Sequence, residues 1–265
     1  MDFNTFTPIE KRGNLFFKRD DLFDFKGIKG AKARATTLLF LDAKEKGYNT
    51  VSAMGPKTSI QLNIAAKIAK ELDMKLVGHT STAPLQPEMI KAKENGAEII
   101  QHSPGYNSVL IRRAKDYAID NGAYYLPFGL EDMIAINATK NQVKSLLPYK
   151  DDIKRIVVPV GSGTNFIGVV LGAMELKLNI PIIGIKIGAN PKKVLEKYLG
   201  KDYNNYLTLL EAEQPYDSNS IYNEVNGVKV DSTYEGKCIP FLEEGDLLWL
   251  IAKKDIEVEG KSINI

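Results

Sequence analysis

What most constrains this chain is the alternation between residues 50 and 127, where short apolar runs of strand length are separated by longer segments of helical period. The runs at 50–53, 75–79, 97–101 and 124–127 read as strands. Between them, helices are expected at 60–72, from Pro84 and Pro87 to about 95, and at 107–121. Gly47, Gly96 and Gly122 stand where a glycine closes a helix. Strands joined by helices of this length form βαβ units and a parallel sheet. Outside this window the same rhythm predicts strands at 15–18, 155–160, 180–187 and 246–252, and helices at 31–46, 133–147, 166–176 and 192–199. Residues 204–226 are polar and irregular. The fold class is therefore α/β.

Composition narrows the function classes. The 265 residues, 44% hydrophobic and 26% charged, suit one large domain or two small ones with a core that needs no staples. Lys+Arg 35 against Asp+Glu 33 leaves a net charge of +2, so no basic excess argues for nucleic acid, although a local patch stays open. The lone Cys238 forms no intrachain disulfide. His79 and His102 are far apart in sequence and leave too few ligands for a His/Cys zinc site, so no metal is expected. Both histidines read as surface residues at strand ends. Residues 1–10 lack a basic patch followed by an apolar run, and no stretch approaches the roughly 20 apolar residues that span a bilayer. The expectation is a cytoplasmic protein without membrane or nucleic-acid partners.

Four loops carry candidate chemistry. Gly161-Ser162-Gly163-Thr164-Asn165 follows a buried-type strand and opens a helix. Glycine lets the backbone approach an anion, and free N–H groups with the helix dipole favour a phosphate there. No Gly-Lys-Ser/Thr follows, and Gly161, Gly163 and Gly168 only approach the G-x-G-x-x-G spacing. A tight turn capped by Ser or Thr is the alternative. Lys32 sits just inside a predicted helix behind Gly27 and Gly30. The positive end of the dipole disfavours its charge, which favours an amine nucleophile able to form a Schiff base. The alternative is a solvated basic turn. Thr58 and Ser59 offer hydroxyls at a helix start, suited to a carboxylate or to proton transfer, or else to capping. Residues 231–237, Asp-Ser-Thr-Tyr-Glu-Gly-Lys, are either a functional turn or a surface one.

In order, these loops resemble the fold type II pyridoxal-phosphate enzymes, in the group of 1-aminocyclopropane-1-carboxylate deaminase and D-cysteine desulfhydrase. Thr7-Pro8-Ile9-Glu10 and Phe17-Lys18-Arg19-Asp20-Asp21-Leu22 resemble "TPLE…KRDDL". Gly30-Ala31-Lys32-Ala33-Arg34 resembles "GGNKxRK", residues 51–75 resemble "VSxGGxQSNxxR…AAxxAxxLGMK", and 231–237 resemble "DPVYEGK". The resemblance implies that Lys32 is the Schiff-base lysine. It implies that Ser59 contacts the substrate carboxylate and assists proton transfer, and that Tyr234 lies beside the substrate. Glu235 matches the acid facing the pyridine nitrogen in the deaminase branch, where the desulfhydrase branch tends to have Thr. Gly161, Ser162, Gly163, Thr164 and Asn165 match the phosphate cradle.

The chain also departs from the pattern. Ala31 and Ala35 replace an Asn and a Lys, and Pro56-Lys57-Thr58 replaces "GIQ". Ile60 replaces the Asn that hydrogen-bonds the cofactor O3′, with Asn63 a turn later as a stand-in. Ala252-Lys253-Lys254-Asp255 replaces "HTGG". The implied architecture is two parallel-sheet α/β domains, tryptophan synthase β-like, with pyridoxal 5′-phosphate between them. The small domain would cover 43–135, and the larger, cofactor-binding one 1–42 plus 136–265. The chain resembles a shortened member of the group, its shortfall after Gly188 and Ile251. The implied activity is a lyase or hydrolase-type deaminase acting on a small amino acid, giving a 2-oxo acid and ammonia. β-Elimination from D-cysteine and a non-catalytic, cofactor-binding regulatory relative are the alternatives. A homodimer is the implied assembly.

Overall fold

The computed structural model describes residues 3, 5–56, 60–82, 84–251 and 260–265. It divides into two compact units, one of Met1–Phe23, Lys29–Ala31 and Ile136–Ile265, the other of Asp24–Ile28 and Lys32–Ala135.

The first unit is built on a six-stranded sheet in the order Ile9–Arg12, Leu15–Arg19, Asp246–Leu250, Arg155–Val160, Ile182–Lys186, Thr208–Glu211. The first pair is antiparallel and every other pair parallel. The central strands are apolar almost throughout because both faces of the sheet are covered. The pleat divides their side chains between two cores. Phe16, Ile156, Val158, Leu247 and Trp249 pack with Phe166, Ile167 and Val170 on one face. Phe17, Val157, Leu248 and Leu250 pack with Val225, Val228 and Ile239 on the other.

The helix Thr164–Glu175 runs unusually close to its neighbours. A Cβ on Gly168 would lie 2.7 Å from the Ile136 carbonyl oxygen, and one on Gly172 would lie 2.5 Å from Val143 Cγ2. Gly168 therefore serves helix packing rather than the glycine pattern of the preceding loop. The helix expected at 133–147 spans Met133–Gln142 and tightens into a 3₁₀ segment, Val143–Tyr149, that contains Pro148. The stretch 204–226 is more ordered than its polarity suggests. It holds the edge strand Thr208–Glu211 and the strand Tyr222–Val225, which pairs with Val228–Lys229 and Lys261–Ile263.

The second unit has a four-stranded parallel sheet in the order Glu98–His102, Lys75–Ser81, Thr50–Met54, Tyr124–Leu126. The helices Gln61–Glu71, Pro87–Glu94 and Asn107–Asp120 connect its strands, as the alternation requires. Ala31–Glu45 is the helix that enters this unit at Lys32.

His102 closes the strand Glu98–His102, as expected, but His79 is placed otherwise. His79 is only 1% exposed, and its Nδ1 stands 2.8 Å from His102 Nε2. The two rings lie nearly parallel, with Tyr117 edge-on to His79. Burial, with the charge of His102 second, pushes the His79 pKa down to about 4, so the ring is neutral at pH 7. Among the described residues, no group of three or more His, Cys, Asp or Glu is arranged to hold a metal ion. No helix among them is long and apolar enough to cross a membrane.

Candidate functional site

In the first unit the strand Arg155–Val160 is followed by Gly161, and the helix Thr164–Glu175 begins three residues after that glycine. Gly163 is the N-cap residue with φ +94°, a left-handed conformation that glycine adopts without a steric penalty. The N-cap residue, being a glycine, carries no side chain to close the helix start itself. Thr164 is buried, while the exposed Ser162 holds its hydroxyl 3.4 Å from that of Thr164. Asn165 Oδ1 accepts from Thr139 Oγ1 at 3.0 Å, which fastens the first helical turn from behind. Gly188 runs past the same turn, where its added Cβ would lie 3.5 Å from the Gly161 Cα.

The segment 231–237 is not a surface turn. Asp231, Ser232, Thr233, Glu235, Gly236 and Lys237 are all buried. Asp231 folds the turn. Its Oδ1 accepts from the N–H groups of Thr233 at 2.8 Å and Tyr234 at 3.1 Å, and its carbonyl accepts from Gly236 N–H at 2.8 Å. The turn brings the Tyr234 ring against the glycine loop, with Cε1 3.3 Å from where a Gly161 Cβ would be. Burial raises the Tyr234 phenol above its ordinary pKa, partly offset by the Tyr216 hydroxyl at 3.4 Å.

Glu235 is 1% exposed. Its Oε1 accepts from Ile251 N–H at 2.7 Å, while its Oε2 is buried with no hydrogen-bond partner among the described residues. Loss of water, with the nearby Asp231 charge second, pushes the Glu235 pKa up to about 8. The acid therefore carries a proton at neutral pH. Ile251 works in both directions, since its carbonyl accepts from Ala31 N–H at 2.8 Å, the first residue of the helix Ala31–Glu45. Lys32 is the second residue of that helix and is half-buried. Gly30, at φ +100°, makes the turn into it.

Asn63 is buried in the second unit, donating from Nδ2 to Glu88 Oε2 at 2.8 Å and accepting at Oδ1 from Asn95 at 3.4 Å. Its carboxamide fastens neighbouring helices, with one Nδ2 hydrogen committed to Glu88. Ser59, and the stretch 252–255 that departs from "HTGG", lie outside the described residues. Conversely, Tyr216, Gly188 and Ile251 border this site without belonging to any of the four sequence motifs. Gly188 had a weak signal, a glycine directly after a buried strand. Tyr216, in the polar stretch, had none.

The family model described as "Pyridoxal-phosphate dependent enzyme" matches residues 3–214. Solved structures agree on the fold. The crystal structure of an ACC deaminase homologue superposes with a TM-score of 0.80 at 22% identity, covering 94% of this chain and 89% of that one. The crystal structure of a T.th. threonine deaminase gives a TM-score of 0.69 at 14% identity, covering 96% and 94%. The processed form of threonine deaminase isoform 2 from Solanum lycopersicum gives 0.67 at 12% identity, covering 95% and 80%. At these identities the likeness is one of fold, that of the fold type II pyridoxal-phosphate enzymes.

The residues present fit such a cofactor. Pyridoxal 5′-phosphate presents a phosphate ester, a pyridine nitrogen and an aldehyde. For the first, the unit offers a helix start whose N-cap residue is a glycine, Gly163. For the second it offers the Oε2 of Glu235, a buried polar atom of a kind that native structures rarely leave unmatched. Taken by itself, the second unit carries at Lys32 an amine at the start of a helix, the chemistry the third requires.

Proposed function

Because this chain belongs to the pyridoxal-phosphate dependent enzyme family and has the fold type II architecture, we propose that it deaminates a small amino acid, in the manner of 1-aminocyclopropane-1-carboxylate deaminase, to a 2-oxo acid and ammonia. The observation that carries this reading is Glu235: a buried carboxyl, protonated at neutral pH, with one oxygen anchored by Ile251 and the other unmatched. Such a group holds a proton for the pyridine nitrogen, and a protonated ring is the stronger electron acceptor. A threonine here, as in the desulfhydrase branch, would supply no acid.

Lys32 would hold the cofactor covalently, and the N–H groups opening at Gly161, Ser162, Gly163, Thr164 and Asn165 would hold its phosphate. When bound, the cofactor supplies an electron sink for negative charge developing at the substrate carbon. The chain's own residues do the rest. The Lys32 amine would serve as the base that takes and returns a proton at Nζ. The Ser59 hydroxyl orients the substrate carboxylate. Tyr234, whose phenol burial keeps protonated, presents an O–H donor on the substrate side. Burial of the 231–237 turn excludes water from the acid at Glu235. We infer a cytoplasmic homodimer as the working form, a state that light scattering reads.

Offering 1-aminocyclopropane-1-carboxylate and D-cysteine, then assaying 2-oxo acid and sulfide, tests the reading. 2-Oxo acid without sulfide is the expected result. Sulfide from D-cysteine would move the protein to the β-elimination branch. Turnover of neither would overturn the 1-aminocyclopropane-1-carboxylate reading and leave a different small amino acid or a non-catalytic relative, which a screen of further amino acids separates.

A further inference from the structure

Lys237 is completely buried, yet the cofactor chemistry above does not use it. A buried ammonium needs oxygen acceptors around it. Its Nζ donates to the Pro215 carbonyl at 2.6 Å and lies 3.3 Å from the Tyr216 carbonyl. Both carbonyls belong to residues that are otherwise exposed.

The segment around them is stitched to 231–237 at three further points. Ser220 N–H donates to the Ser232 carbonyl at 2.7 Å, and Ser220 Oγ donates to the Gly236 carbonyl at 2.9 Å. Thr233 Oγ1 donates to Asn219 Oδ1 at 3.1 Å. These ties act at residues 219 and 220. Lys237 acts at Tyr216 itself, whose ring meets the Tyr234 ring edge-on at 6.4 Å between centroids.

We propose that Lys237 is a positioning residue: its buried ammonium pins the carbonyls of Pro215 and Tyr216 and thereby sets the Tyr216 phenol against Tyr234, beside the Gly161 turn. The proposal rests on the reading of Tyr234 as a substrate-side residue. Without the ammonium, two carbonyls lose a charged donor. The loop then detaches at its tip, and Tyr234 loses its cover. Among the described residues, the groups facing the Tyr234 phenol include the Tyr216 hydroxyl and the carboxyls of Asp231 and Glu235.

The test uses the full chain with pyridoxal 5′-phosphate added and the variant Lys237→Met, which keeps the side chain's length and apolar stem. Two readouts apply. Amide hydrogen exchange follows residues 214–220, and alkaline absorbance titration follows the phenols, with Tyr234→Phe identifying the late one. The expected result is exchange at 214–220 faster by about tenfold or more, with 155–160 and 164–175 unchanged. The Tyr234 phenol should titrate closer to the ordinary tyrosine range. A folded Lys237→Met protein with wild-type exchange and titration overturns the proposal.

If Lys237→Met does not fold, Lys237→Gln is read by the same measures and the same criteria. Lys237→Arg, which keeps charge and donors, should restore both values at least in part, and failure of any rescue also overturns the proposal. Neither readout needs turnover. A protein inactive on every amino acid would refute the proposed function and leave this test standing. An unmoved loop would refute the positioning role and leave the function standing.

Discussion

Replacing Glu235 by glutamine should change how the stability of the cofactor-free protein depends on pH. In the folded chain the Glu235 carboxyl titrates at about 8, against 4.5 when ordinary. Between those values the folded protein keeps a proton that the unfolded chain has released. Stability must therefore fall as pH rises through that window, and level off above about 8. At about 1.4 kcal/mol per pH unit, the full swing is on the order of 5 kcal/mol, with less expected where the folded structure relaxes. Glutamine cannot ionise, and its carbonyl can still accept from Ile251 N–H. Urea unfolding of both proteins at pH 5, 6.5 and 8 isolates the effect as a difference that grows with pH. The variant should gain on the wild type by several kcal/mol between pH 5 and 8. A constant difference would show that Glu235 is not held neutral by burial, and the argument for its role at a pyridine nitrogen would fall with it.

Two other perturbations follow from the geometry. Gly172→Ala places a Cβ 2.5 Å from Val143 Cγ2 and 2.8 Å from the Lys140 carbonyl oxygen, so thermal unfolding should show a loss of about 1–3 kcal/mol; an unchanged Tm would mean the helices are not in backbone contact. His79, held neutral with a pKa near 4, costs stability as pH falls from 6.5 toward that value, because the unfolded chain takes up a proton that the folded one refuses. His79→Phe should therefore move the acid-unfolding midpoint to lower pH, and a midpoint that stays in place would contradict the burial argument.

Where burial and pattern coincide, the fold is legible in the residues alone. Arg155–Val160 is an apolar run because both of its faces are covered, and its ends read correctly to the residue. Ile9–Arg12 and Thr208–Glu211 escape such reading because edge strands are short and polar, with only one neighbour to satisfy. His79 looked like a surface residue because nothing local announces the helix that carries Tyr117 over it. Gly168 mimicked a phosphate-loop glycine, when its smallness serves contact with Ile136 and Thr139.

The candidate site shows the same division. Glycines after a buried strand and the Tyr234-Glu235 pair are visible as local motifs. The burial that makes Glu235 an acid at pH 7 is not, since it depends on Ile251 and Asp231 arriving from other parts of the chain. Asn63 is a polar residue at a plausible spacing whose partners, Glu88 and Asn95, lie in a different helix and at its end, which spacing along the chain does not reveal.

The central claim is that Lys32 holds pyridoxal 5′-phosphate. Loading the protein with the cofactor, reducing it with borohydride and mapping the digest by mass spectrometry tests this directly. The account predicts a visible absorbance band that borohydride bleaches, a pyridoxyl group on the peptide containing Lys32, and loss of both in Lys32→Ala. A label on another lysine, Lys29 first among them, or a band that survives in Lys32→Ala, would contradict it.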